Sequence, residues 1–224
     1  QLLDEAIVRT YNRFGITHDN DSLEDPERPC SYRRMPILGD LYTLLKGSPE
    51  TRRLANILNR LVNGSASTFN QSTNVSLDNK YTVIDISELS GDLLSVGMFS
   101  GLDYIFDTVK ADRTTRKMIF IPEMWKLIGS GSNRDVANYV LEIFKIIRGY
   151  GGGAVADTQD LSDFLALEDG KYGRGILNVC KTKIILNMED DEARRVQETL
   201  HLTDTEIMNI THFQRGSGLI STNN

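Results

Sequence analysis

Over the first eighty residues the apolar positions recur at spacings of three and four. Leu3, Ile7, Tyr11 and Phe14 fall on one helical face, and Gly15 follows as its stop. Asp19 to Pro36 is polar and interrupted by Pro26, Pro29 and Pro36, which reads as an exposed loop. Two more helices are predicted at 38–46 and 49–63, and the Ser, Thr and Asn-rich stretch 64–79 reads as a connection into another kind of structure. From Lys80 the period changes. Short apolar runs at 81–86, 118–121, 153–158, 183–186 and 218–221 alternate with helical stretches at 92–110, 133–148, near Leu161, and at 172–179, 190–200 and 204–209. The helix at 92–110 is apolar on most sides and is expected to be buried; that at 133–148 is amphipathic through Val136, Val140, Ile143, Phe144 and Ile147. Such alternation predicts an α/β region with a mostly parallel sheet and helices on both faces, preceded by an all-helical region, with the division at 1–79 and 80–224.

In an open α/β sheet, ligands lie at the carboxyl ends of parallel strands. Two polar residues stand at such ends here: Glu123 after the run Arg116 to Ile121, and Gln159 after the strand at 153–158. A carboxylate there suits activation of an attacking water, and a neighbouring amide suits orientation of that water or of a phosphate oxygen. An acidic residue after an apolar run is equally what the amino end of a following helix favours. Trp125, close by, is expected to pack beneath the sheet edge as core.

The composition narrows the classes. With 224 residues, 40% hydrophobic and 25% charged, the chain can bury a sizeable core. Its net charge of -6 argues against indiscriminate binding to nucleic acid. The densest basic patch, Lys110, Arg113, Arg116 and Lys117, reads as a solvated connection. Cys30 and Cys180 stand far apart without metal-ligand spacing, which fits a reducing, cytoplasmic setting. The acidic cluster around His18, Asp19, Asp21, Glu24 and Asp25 lacks the glycine a calcium loop needs and reads as a polar loop. No apolar run is long enough to span a membrane.

Four segments carry a resemblance: YTVIDISEL at 81–89, RKMIFIPEMWKLI at 116–128, FKIIRGYGGGAVADTQDLSDFL at 144–165 and KTKIILNMEDDEARRVQ at 181–197. In this order they resemble the P-loop motor ATPases of conjugation and type IV secretion, the TraC-like and TrbE-like members of the HerA and FtsK group. The resemblance implies a partial RecA-like P-loop NTPase core over 80–224 with an all-helical subdomain over 1–79. It places RKMIFIPEMWKLI at the Walker B position, with Glu123 as the glutamate that polarises the attacking water. The preceding aspartate position holds Pro122, which has no side-chain oxygen to reach magnesium. Gln159 takes the place of the sensor glutamine that meets the terminal phosphate or the water, and Asp157 stands where the pattern has a small residue. Arg148 becomes a candidate finger for a neighbouring subunit's nucleotide, although a cation at a helix end is favoured by the dipole in any case. Arg194 and Arg195 offer a second candidate pair on what reads as an exposed helix face.

The motif GxxxxGK followed by Ser or Thr is missing, and the run Gly149, Gly151, Gly152 and Gly153 precedes a strand without it, so it reads as a helix-to-strand turn. In the family the P-loop precedes the helical subdomain. The expectation is therefore a C-terminal portion of a motor whose full-length parent uses ATP and Mg, self-associates as a hexameric ring at the inner face of the bacterial membrane, works with other type IV secretion components, and acts indirectly on a DNA or protein substrate. The isolated chain is expected to hold no nucleotide tightly. The alternative left open is an inactive interaction module docking on secretion components; a third reading is an unrelated doubly wound enzyme using Glu123 and Gln159.

Overall fold

The computed structural model describes residues 1–76, 79–89 and 91–222, and its backbone divides into two compact units, Gln1–Asn79 and Lys80–Asn224. The first contains helices α1 (Leu2–Arg13), α2 (Leu38–Lys46) and α3 (Arg52–Val62). Its small core is Ala6, Leu45 and Ala55, with Leu41, Leu44 and Leu58 packed around it. The expected apolar face of α1 is not the one that is buried. Leu3, Ile7 and Tyr11 are 37–40% exposed, whereas Ala6 and Thr10 are both 3% exposed. Small side chains let the backbones approach, and the Thr10 hydroxyl is satisfied by donating to the Ala6 carbonyl at 2.7 Å. The proline-rich loop holds one 3-10 turn at Asn20–Leu23, capped by Asp19, and an isolated antiparallel bridge between Glu24 and Tyr32. Within the connection 64–79, positions 77 and 78 lie outside the described residues.

The second unit begins without the first predicted strand. Residues 81–86 form no ladder, and Tyr81 and Val83 are 83% and 71% exposed. Alternation alone does not make a strand; a paired edge does. Helix α4 (Asp92–Ala111) follows, burying Met98, Leu102, Phe106 and Val109 on one stripe rather than all round. Then come β1 (Lys117–Ile121), the short helix α5 (Trp125–Ile128), α6 (Arg134–Ile146), a 3-10 turn at Ile147–Tyr150 and β2 (Gly152–Ala156). The chain continues through α7 (Leu161–Phe164), α8 (Lys171–Val179), β3 (Thr182–Leu186), α9 (Asp190–Leu200), α10 (Asp204–His212) and β4 (Gly218–Thr222).

The expected mostly parallel sheet resolves into two pairs among the described residues. β1 and β2 are parallel, with Ile121 opposite Ala156, while β3 and β4 are antiparallel, with Ile184 opposite Ile220. The helices α9 and α10 return the chain to β3 in the opposite sense, so β4 needs no crossover. Nor are both faces covered: Ile119 and Ile121 enter the core, but Met118, Phe120 and Val155 on the other face are 58%, 67% and 42% exposed.

The core beneath β1 and β2 gathers Met124, Leu127 and Ile128 with Val140, Ile143, Phe164, Tyr172 and Ile176. Glu168 fastens its rim, forming an ion pair with Arg134 Nε at 2.8 Å and taking hydrogen bonds from Tyr172 Oη at 3.2 Å and Lys171 Nζ at 3.3 Å. The bond from Lys171 chiefly, with that from Tyr172 and the charge of Arg134, holds the carboxyl below its ordinary value of 4.5. A lowered folded value means that the contribution is present above about 4.5 and is lost as pH falls through the folded value. Glu168→Gln is thus expected to lower the urea midpoint at pH 7 and to converge with wild type in acid, as denaturation at a series of pH values will check.

Candidate active site

Strand β1 ends where Pro122 removes an amide hydrogen, and the chain turns at Glu123, whose φ of 51° lies in the left-handed region. The turn is anchored from below: Met124, Leu127 and Ile128 are each 0–1% exposed. Gly129 closes α5 at a place where a Cβ would stand 2.5 Å from the Trp125 carbonyl oxygen. Across the strand pair, Asp157 follows β2. Its amide donates to the Ile121 carbonyl at 3.4 Å, its carbonyl accepts from the Met124 amide at 2.9 Å, and its carboxylate Oδ1 accepts from the Glu123 amide at 2.7 Å.

This turn sends the Glu123 side chain towards two donors. Gln159 Nε2 donates to Oε1 and Trp125 Nε1 donates to Oε2, each at 2.5 Å. The sequence-derived pair therefore meets in space, at the carboxyl ends of two parallel strands. Trp125 is not core, as expected from sequence, but a half-buried partner of the carboxylate, with Lys126 Nζ 5.6 Å from its ring centroid. Asp157, where the family pattern has a small residue, is exposed, and its carboxylate is partnered by a backbone amide. Neither role was readable from spacing; Pro122, as a strand end with no donor, was the available hint. Beyond Gln159, Asp160 caps α7 by accepting from Ser162 and Asp163 amides, and the Leu161 amide donates to Glu192 at 3.1 Å.

Arg148 is not brought to this pair. It is exposed in the 3-10 turn before β2, at the amino ends of strands whose carboxyl ends carry Glu123 and Gln159. Five residues at about 3.3 Å each separate the two ends. Arg195 is engaged within the chain, donating to Ser162 Oγ at 2.5 Å, and Arg194 is exposed. The glycine run is the predicted turn: Gly151 has φ of 74°, and a Cβ there would meet the Arg113 carbonyl oxygen at 2.8 Å. The basic connection is solvated and locally paired, with Lys110 on Asp107 and Arg113 over the Tyr150 ring. A hollow of about 610 Å³ lies elsewhere, lined by residues of α8, β3 and α9 such as Arg174, Lys183 and His201, and none of the candidate residues borders it.

Among the described residues no group of three or more His, Cys, Asp or Glu could hold a metal ion. None of the described helices is long and apolar enough to cross a membrane.

A family model described as the TraG P-loop domain matches residues 56–218. The chain belongs to this family. The TraG-type domain is also similar to a solved structure of VirB4 of Thermoanaerobacter pseudethanolicus, with a TM-score of 0.80 and 25% identity, over 99% of this chain and 60% of that one. It thus spans 60% of the length of that relative. No curated protein matches the chain.

Proposed function

We propose that this TraG-type domain is part of an ATPase of type IV secretion or conjugation and supplies the water-activating side of its nucleotide site. The contact between Glu123 and Gln159 at the ends of β1 and β2 carries the reading. Glu123, at the Walker B position, polarises the attacking water and accepts its proton; Gln159, as the sensor, orients that water or meets the terminal phosphate. ATP with magnesium, when bound, supplies the phosphoryl group that is attacked. The residues present fit the water side of such a site and not the phosphate side: the chain has no GxxxxGK run, and Pro122 offers magnesium no oxygen. The phosphates and the metal would be held by a P-loop segment outside these residues.

In this scheme residues 1–79 are the all-helical subdomain and 80–224 the C-terminal part of a RecA-like core. Arg148, at the far ends of the strands, serves a neighbouring subunit in a hexameric ring at the inner face of the bacterial membrane. The ring docks on other secretion components and drives a DNA or protein substrate. Pro122 favours one rival, a degenerate docking module without turnover.

Calorimetry with ATP and ADP in the presence of magnesium separates the two. Binding is expected for a protein extended upstream through a P-loop and not for the 224-residue chain. Magnesium-dependent hydrolysis by the short chain, abolished by Glu123→Gln, would overturn the split site, and silence from both proteins would favour the docking module.

A further inference from the structure

We propose that Asp157 is a positioning residue that fixes the direction of the Glu123 carboxylate, and that Trp125 reports that direction; the catalytic half of this statement rests on Glu123 being the water-activating group. The starting point is the backbone of residue 123. A left-handed φ of 51° is unfavourable for a side chain with a Cβ and persists only where surrounding contacts over-determine it. Pro122 contributes no amide to such contacts. Asp157 contributes three: its amide reaches back to Ile121, its carbonyl takes the Met124 amide, and its carboxylate takes the Glu123 amide. Residues on either side of the turn are thus tied to one residue of the neighbouring strand end, and the one bond made by a side chain falls on the left-handed residue itself.

The consequence is directional. With its amide held, Glu123 places Oε1 against Gln159 Nε2 and Oε2 against Trp125 Nε1. A carboxylate has about four lone-pair sites, so two donors fix its plane and leave acceptor capacity for a water. Without the Asp157 oxygen the Glu123 amide loses its partner, the turn is free to relax towards ordinary φ, and the carboxylate leaves both donors. Asn at 157 keeps an oxygen acceptor at the same reach, so the geometry demands an acceptor and not a charge.

Trp125 is the only tryptophan of the chain, so its emission reports this contact without interference. In the wild-type 224-residue chain, the Glu123 amide is expected to exchange with deuterium on the order of ten-fold or more slowly than an unstructured reference, and an unprotected amide would overturn the proposal. Asp157→Ala, with far-UV circular dichroism unchanged, is expected to shift the Trp125 emission and increase its quenching by acrylamide, while Asp157→Asn stays at wild type. An unmoved emission in a folded Asp157→Ala, or an equal shift in Asp157→Asn, counts against it; if Asp157→Ala does not fold, the amide measurement on wild type decides. In the ATP-hydrolysing protein, Asp157→Ala is expected to lower kcat about ten- to a hundred-fold at unchanged KM, with recovery in Asp157→Asn. Should Glu123→Gln leave turnover intact, the catalytic role of Glu123 fails, while amide exchange and emission still decide whether Asp157 holds it.

Discussion

Glu123→Gln, in a protein that carries the P-loop segment, is expected to lower turnover by about a hundred- to ten-thousand-fold while leaving ATP affinity within about three-fold. The substitution is nearly isosteric but changes what the side chain can accept. Glu123 takes one hydrogen bond on each oxygen, from Gln159 and from Trp125. A glutamine offers one oxygen and one amide group, so one of the two donors must face another donor. The side chain then can neither receive a proton from water nor remain held on both sides. Affinity is largely spared because, in the proposed split site, the phosphates are held chiefly by the P-loop segment and not by the Glu123 carboxylate. Steady-state hydrolysis beside nucleotide calorimetry distinguishes the outcomes: parallel loss of binding would mean that Glu123 maintains the site's shape, and unchanged turnover would remove it from the chemistry.

What could be read from the sequence is what depends on local pattern. The amphipathic stretch at 133–148 became α6 and its 3-10 extension, with Val140, Ile143, Phe144 and Ile147 buried as their spacing required. The apolar run before Pro122 became β1, and a strand ending in Glu beside a strand followed by Gln was enough to anticipate their meeting. What could not be read depends on partners distant in sequence. Residues 81–86 have the alternation of a strand and no ladder, because strand formation is a property of a pair. The sense of β4 relative to β3 follows from how α9 and α10 turn the chain, which hydrophobic period does not encode. Trp125 was legible as a large apolar residue but not as a hydrogen-bond donor, since its indole direction depends on the left-handed turn at Glu123, and that turn depends on Asp157 thirty-four residues later. The candidate site was therefore legible in its two strand-end residues, Glu123 and Gln159, and illegible in the residues that contact Glu123.

Tyr172→Ala is expected to destabilise the Lys80–Asn224 unit by about 3–5 kcal/mol, against about 0.5–1.5 kcal/mol for Tyr172→Phe. Tyr172 is 1% exposed on α8 and lies in the core that also contains Met124, Leu127, Ile128 and Phe164. Removing the ring leaves a cavity that helices meeting from several directions cannot fill by collapse, whereas removing the hydroxyl loses only the 3.2 Å bond to Glu168. For a domain with a total stability of about 5–15 kcal/mol the alanine change approaches the whole margin, which urea denaturation at neutral pH will measure. The same experiment bears on the site. Met124, Leu127 and Ile128 are the floor under the turn that carries Glu123, so a loosened core should release Trp125 from the carboxylate at urea concentrations where helical signal is still intact. Trp125 emission that changes only together with the circular dichroism would mean that the hydrogen bonds to Asp157 suffice to hold the turn and that the floor adds nothing to a geometry set at the strand ends.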